Sequence, residues 1–154
     1  MRIALVSLLE DITSPSLRVI SSYIKKCGHS TSMIFIPSQL NDTNLSRLRH
    51  LIEELETEVV GISVMTDYFH KAKLITQELK DNLEVTIIWG GPHPTICPEE
   101  SLNFADMVCI GEGEEALLEL LNKMDKKQDY YKTKNIWFKK EGKVIKNDLR
   151  NLAE

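Results

Sequence analysis

The stretch that decides the fold is WGGPHPTICPEESLNFADMVCIGEGEE, residues 89–115. It follows an apolar run at residues 85–88, which is short, continuous and β-branched, as a buried strand is. A second apolar run, residues 107–110, ends at another glycine-rich segment. Glycine tolerates positive φ and lets a large group approach the backbone. Ligands of open α/β sheets sit at the carboxyl ends of strands, so these two strand ends predict a binding edge.

The same alternation of short strand and amphipathic helix extends along the whole chain. Further strands are predicted at residues 2–8, 31–37 and 59–64. Apolar residues at helical spacing predict the intervening helices, with Ser14 and Asn44 as N-caps and Gly28 ending the first helix. Alternating strands and helices favour an α/β, Rossmann-like (flavodoxin-like) fold. We expect a doubly wound, five-stranded parallel sheet of order 2-1-3-4-5.

Two segments interrupt this pattern. Pro92, Pro94 and Pro98 predict a stiff, irregular loop that is not helical before about Glu99. Residues 135–140 and 143–146 flank a Glu-Gly pair and predict a β-hairpin, and residues 148–154 resemble a linker. We therefore expect an α/β domain over residues 1–125. A hairpin and connector over residues 126–154 would lead toward a further C-terminal domain of a longer protein.

Composition excludes several classes of protein. A hydrophobic content of 42% and a charged content of 27% over 154 residues are typical of one soluble globular domain. No apolar run approaches the roughly 18–20 residues that span a bilayer, so no membrane association is expected. The three cysteines lack disulfide, zinc or iron–sulfur spacing, which fits a reducing cytoplasm.

The net charge of −4 hides an asymmetry. Residues 1–122 hold 9 Lys/Arg against 18 Asp/Glu, whereas residues 123–154 hold 10 against 5. The basic end could be a solvated segment or a surface that docks a following domain. Nucleic acid is not the expected partner, because the aromatic residues there form no known RNA-binding motif.

The glycine-rich segment at residues 111–114 could be a phosphate loop, since glycines that open a helix can present N–H groups to an anion. However, Glu112, Glu114 and Glu115 already complement the helix dipole and would repel a phosphate. The segment also lacks the lysine and hydroxyl residue of a P-loop. A receiver-type phosphoacceptor domain is disfavoured as well, because no Asp ends the third strand and no Lys ends the fifth.

Polar residues at the strand ends leave two readings open. His93, held between two prolines, could lie over a ligand or only bond the loop backbone. Ser63 and Thr66 could donate to a ligand or cap the next helix. His29, His50 and His70 lack metal-ligand spacing with a carboxylate.

Three segments together resemble a known family, the cobalamin-binding domain found N-terminal to a radical S-adenosylmethionine (radical SAM) domain. They are VGISVMT at residues 60–66, IIWGGPHPT at 87–95 and ADMVCIGEGEEALLELL at 105–121. The resemblance covers roughly residues 1–125 and implies that cobalamin binds at the carboxyl ends of the strands. The parent protein would also use S-adenosylmethionine and a 4Fe-4S cluster, whose sites lie outside this chain.

The resemblance implies where the cofactor would bind. Its nucleotide tail would enter a cleft in the sheet edge, and residues 10–16, which include Ser14, would lie under the corrin. The residues matching the tail pocket and its two loops are Ser63, Met65, Thr66, Gly90, Gly91, Pro92, His93, Pro94, Thr95, Gly111, Glu112 and Gly113.

One departure from related cobalamin proteins is informative. The D-x-H-x-x-G motif that supplies a histidine to cobalt is absent after the first strand. The resemblance therefore implies base-off cobalamin without a protein histidine ligand and with no catalytic residue in this chain. The parent would be a cobalamin-dependent methyltransferase or a related enzyme. The alternative is a degenerate docking domain that binds no cofactor, with an empty or side-chain-filled cleft.

Overall fold

The computed structural model describes residues 1–151. The strands are β1 (Arg2–Ser7), β2 (Ser30–Phe35), β3 (Val59–Ser63), β4 (Thr86–Gly90), β5 (Met107–Cys109), β6 (Ile136–Lys140) and β7 (Lys143–Ile145). The helices are α1 (Pro15–Lys26), α2 (Asp42–Glu54), α3 (Phe69–Asn82), α4 (Pro92–Ile96), α5 (Pro98–Ser101) and α6 (Glu114–Asp125). None of the helices in this part of the chain has the length and apolarity of a membrane span.

The strands form one sheet in the order β2-β1-β3-β4-β5-β6-β7. The first five are parallel and stand in the predicted order, which confirms the α/β class. One core lies between the sheet and α2 and α3, and the other between the sheet and α1 and α6. Because side chains alternate along a strand, Trp89 and Ile88 face opposite cores. In the α2–α3 core, the Trp89 Nε1–H donates to Thr76 Oγ1 over 2.9 Å.

The hairpin extends the sheet, so the sheet has seven strands where five were predicted. β6 pairs antiparallel with β5, placing Phe138 opposite Met107, and β7 pairs with β6. Ile136 and Phe138 are fully buried in the core beneath α1 and α6. This pairing covers the edge of β5 that would otherwise be open. A domain division at residue 125 stays a prediction about the longer protein.

The proline-rich segment is helical, and the expectation of an irregular loop up to about Glu99 is wrong. Pro92 and Pro98 each begin a short helix, α4 and α5. At the first position of a helix the missing N–H has no partner to lose, and the fixed φ of proline suits the turn. The fourth strand also runs one residue into the glycine pair and ends at Gly90.

The helix caps differ in detail from the prediction. α2 begins at Asp42, and the side chain of Asn41 accepts the backbone N–H of Asn44 over 2.9 Å. Asn44 therefore lies in the first turn and is not the cap. Ser14 does precede α1 as predicted, but its side chain makes no capping hydrogen bond and its φ is 29°.

The segment after the hairpin packs back onto the domain. The backbone N–H of Asn135 donates to the Asp148 carbonyl over 2.9 Å, and that of Arg150 donates to Asn135 Oδ1 over 2.8 Å. The Arg150 guanidinium also pairs with Glu119 and lies 3.7 Å from Glu115, both on α6. The described part of the predicted linker is thus held against α6, and residues 152–154 lie outside the described residues.

Candidate functional site

A cavity of about 400 Å³ lies between the sheet and helices α1 and α6, at the carboxyl ends of the strands. Its floor is a row of residues from four neighbouring strands, Leu5, Gly61, Ile88 and Cys109. The parallel register forms this row, since Leu5 lies beside Gly61 and Gly61 beside Ile88. The walls are apolar side chains of the two helices, Leu17 and Ile20 from α1 and Leu117 from α6.

Missing side chains leave room on this floor. A β-carbon on Gly61 would lie 3.2 Å from Leu5 Cδ2, so the absence of a side chain leaves space in the middle of the floor. Gly90 lies two residues after Ile88 on the same face of β4. A β-carbon there would meet only Cys109 Cβ, at an ordinary distance of 3.7 Å. A side chain at Gly90 would therefore enter the cavity without displacing protein.

The two glycine-rich loops at the mouth are tied together by Thr95. Its hydroxyl donates to the Gly91 carbonyl over 2.9 Å and accepts the Gly111 N–H over 3.0 Å. Gly91 and Gly111 both have positive φ, +101° and +77°, which side chains rarely adopt. A β-carbon on Gly113 would lie 3.2 Å from Ile20 Cδ1, so this glycine lets the loop approach α1.

His93 lies on the other side of the first loop, away from the cavity. Its ring is buried and packs 4.7 Å from the ring of Phe69, with Nδ1 3.3 Å from Thr66 Oγ1. Its backbone N–H donates to the Val64 carbonyl over 3.0 Å. Nε2 has no hydrogen-bond partner and lies 3.5 Å from a carboxylate oxygen of Glu100. The imidazole therefore supports the loop from the α3 side.

Polar groups are concentrated at the mouth of the cavity. Ser16, Ser63, Glu112 and Glu114 line it where the helices begin and β3 ends. Deeper in, burial raises the pKa of the Cys109 thiol to about 12, against an opposing effect of the Arg150 charge, so the thiol is neutral at pH 7. Glu112 and Glu114 at the mouth, with no lysine or arginine among the described lining residues, disfavour the terminal, multiply charged phosphate groups that a P-loop binds.

The described residues provide no metal centre. Within residues 1–151, no group of three or more His, Cys, Asp or Glu side chains could hold an ion. None of the four histidines lines the cavity. His29 hydrogen-bonds Asn122 over 2.9 Å, whereas His50 and His70 lie on α2 and α3.

The family model of the B12 binding domain matches residues 1–121. The chain belongs to the B12 binding domain family. A sequence relative of this B12 binding domain is an uncharacterized methyltransferase of Pyrococcus horikoshii. The alignment is 117 positions long with 28% identity, and it covers 73% of this chain and 26% of that protein.

Two solved structures have a similar fold. The cobalamin-dependent S-adenosylmethionine radical enzyme OxsB, with aqua-cobalamin and S-adenosylmethionine bound, gives a TM-score of 0.81 at 20% identity over 98% of this chain and 22% of that one. The second is the radical S-adenosylmethionine methyltransferase TsrM from Kitasatospora setae, with cobalamin and a 4Fe-4S cluster bound. Its TM-score is 0.81 at 15% identity, and the match covers 99% of this chain and 30% of that one. This B12 binding domain thus spans less than a third of either chain.

The structure brings together only some of the predicted cofactor residues. Those that line the cavity are Ser63, Gly90, Gly91, Pro92, Gly111, Glu112 and Gly113. Those outside it are Ser14, Met65, Thr66, His93, Pro94 and Thr95. Ser14 and Pro94 are buried elsewhere, and Met65 is 41% exposed at the sheet edge. Contact of any of these residues with a ligand stays a prediction.

The floor and walls of the cavity are not evident from the sequence. The sequence pattern places Leu5, Ile88 and Cys109 only in strands, and Leu17 and Ile20 only on a helix face. One signal was available, because a glycine inside a strand often marks a close approach to the backbone, and Gly61 interrupts an apolar run.

Proposed function

We propose that this B12 binding domain is the cobalamin-holding module of a radical S-adenosylmethionine enzyme, and that the nucleotide tail of cobalamin occupies the cavity. The observation that carries the proposal is the apolar cavity above Gly61 and Gly90. Its volume of about 400 Å³ falls within the roughly 300–1,000 Å³ of small-molecule sites. A dimethylbenzimidazole ring is flat and has an apolar outer edge, so burial of that edge between the sheet and two helices would stabilise it.

The lining residues fit the parts of such a tail. Leu5, Ile88 and Leu117 would pack against the base. The Ser63 hydroxyl, which hydrogen-bonds none of the other described residues, can donate to an acceptor of the tail. Gly91 allows the first loop to lie close to β3, because a β-carbon added there would be only 3.3 Å from Ser63 Oγ.

The surface around the mouth suits a broad, flat macrocycle. Ile12 follows β1, Met65 follows β3 and Ile96 ends α4, and these side chains are 69%, 41% and 75% exposed. Exposed apolar residues gathered at one edge mark a surface that another group covers. We assign that group to the corrin ring and to the domain that closes over it.

Cobalamin would be held without a protein nitrogen on cobalt. The loop between β1 and α1 contains no histidine, and no imidazole of the chain lines the cavity. When bound, the cofactor supplies a cobalt centre for methyl transfer or radical chemistry. The residues of this chain bury the tail and leave the chemistry to groups outside it.

The parent enzyme would supply those groups. Its S-adenosylmethionine and 4Fe-4S sites would lie in a radical SAM domain of the same polypeptide, as the short span of this chain within OxsB and TsrM suggests. A methyltransferase is the preferred class, because TsrM is a methyltransferase and the Pyrococcus relative is named as an uncharacterized methyltransferase.

The test is retention of hydroxocobalamin by the purified chain after desalting, followed by reduction to cob(II)alamin for paramagnetic resonance. We expect retained corrin absorbance and no nitrogen superhyperfine splitting, because no base or imidazole binds cobalt. Nitrogen splitting would contradict the histidine-free, base-off state. Absence of retained corrin would contradict binding and favour the docking alternative.

A further inference from the structure

The side chains in the interior of the cavity offer almost no hydrogen-bond partner. Leu5 and Ile88 on the floor and Leu17, Ile20 and Leu117 on the walls are purely apolar. Since the floor strands lie inside the sheet, their backbone N–H and C=O groups are engaged in ladder pairing. A polar atom placed against this surface would lose its hydrogen bonds to water and form none with the protein.

The polar side chains of the lining cannot compensate deep in the cavity. Cys109 is the polar group on the floor, and its Sγ already lies 3.9 Å from the Glu112 carbonyl. A neutral thiol is also a weak donor and a weak acceptor. Ser63 lies at the end of β3, and Ser16 lies in the first turn of α1, so both are at the mouth.

From this distribution we infer that the cavity selects the base of the corrinoid tail. It accepts a base with an apolar outer edge, such as dimethylbenzimidazole, and rejects a purine that carries an amino group. The inference rests on the proposed function. An acceptor nitrogen near the mouth can meet Ser63. The exocyclic amine and outer ring nitrogens of adenine would face the floor at Ile88 and the walls at Ile20 and Leu117. An unpaired buried polar group of this kind weakens binding about tenfold or more.

The experiment compares cobalamin with its adenine analogue, pseudocobalamin, by absorbance titration of the purified chain. Each Kd is multiplied by the fraction of free corrinoid whose base is already off cobalt, which removes the intrinsic difference between the two cofactors. We expect corrected cobalamin binding to be about tenfold tighter or more. Equal corrected affinities would overturn the inference and leave the proposed function standing. Binding of neither corrinoid would overturn both.

A substitution in the cavity wall tests whether that wall selects the corrinoid base. Ile20 is half-buried and lines the cavity, whereas Val19, its neighbour on α1, is 55% exposed and does not. Ile20→Gln supplies an amide inside the cavity and should narrow the cobalamin preference about threefold or more. Val19→Gln, the matched control, should leave the ratio unchanged. The ratio is measured on one preparation, so a change in overall stability does not imitate the effect. A ratio unchanged by Ile20→Gln would contradict the assignment to this wall.

Discussion

A β-carbon added to Gly91 would lie 3.1 Å from the carbonyl oxygen of Val64. Gly91 also has a φ of +101°, so a side chain there meets both a strained backbone and a fixed neighbour. We expect Gly91→Ala to lower the free energy of unfolding by about 2 kcal/mol or more. Gly90→Ala should change it by less than about 1 kcal/mol, because its β-carbon has room. Denaturant unfolding of the two variants measures the difference. An equal loss would show that the first loop is not held as described.

Asn135 joins the end of β5 to the segment after the hairpin. Its buried side-chain amide donates to the Ile110 carbonyl over 2.7 Å, and its φ is 66°. Asn135→Gly should lower the free energy of unfolding by about 1–3 kcal/mol, because the buried carbonyl loses its donor. Asn135→Ala should cost about 1 kcal/mol more, since alanine disfavours positive φ. A smaller loss for alanine than for glycine would contradict this backbone conformation.

The buried Cys109 thiol makes stability depend on alkaline pH. Burial raises its pKa from 9.0 to about 12, so between these values the unfolded chain loses a proton that the folded chain keeps. The stabilisation is complete below pH 9 and is lost as the pH rises toward 12. The slope from this group is about 1.4 kcal/mol per pH unit. The free energy of unfolding of the wild type and of Cys109→Ala, measured at several pH values, isolates the contribution of the thiol, because all other groups titrate in both proteins. Parallel pH profiles would mean that the thiol is not buried.

The sequence predicts the sheet well because its strands carry strong local signals. Continuous β-branched runs mark buried strands, and helical spacing between them fixes parallel crossovers. The hairpin was also predictable from its two apolar runs, but its pairing partner was not. β6 joins the sheet because Ile136 and Phe138 complete the core under α1 and α6, a tertiary effect that local pattern does not encode.

The site was predictable at Ser63 and at the two glycine-rich strand ends, but not at its floor and walls. Gly90, Gly91 and Gly111 were identified because missing side chains indicate open space. The direction of His93 was not, since it depends on α4, a helix that the prolines were expected to prevent. Helical geometry after Pro92 turns the imidazole toward Phe69 and away from the cavity.

The central claim is that the tail of cobalamin occupies the cavity beside Gly90. The most direct measurement is the affinity of the wild type and Gly90→Val for hydroxocobalamin and for cobinamide, which lacks the nucleotide tail. We expect the wild type to bind cobalamin more tightly than cobinamide. Gly90→Val should reduce the ratio of cobalamin affinity to cobinamide affinity about tenfold or more, because valine fills the space of the base. Its affinity for cobinamide should stay unchanged. A Gly90→Val protein that is folded and keeps the full preference for cobalamin would contradict the account.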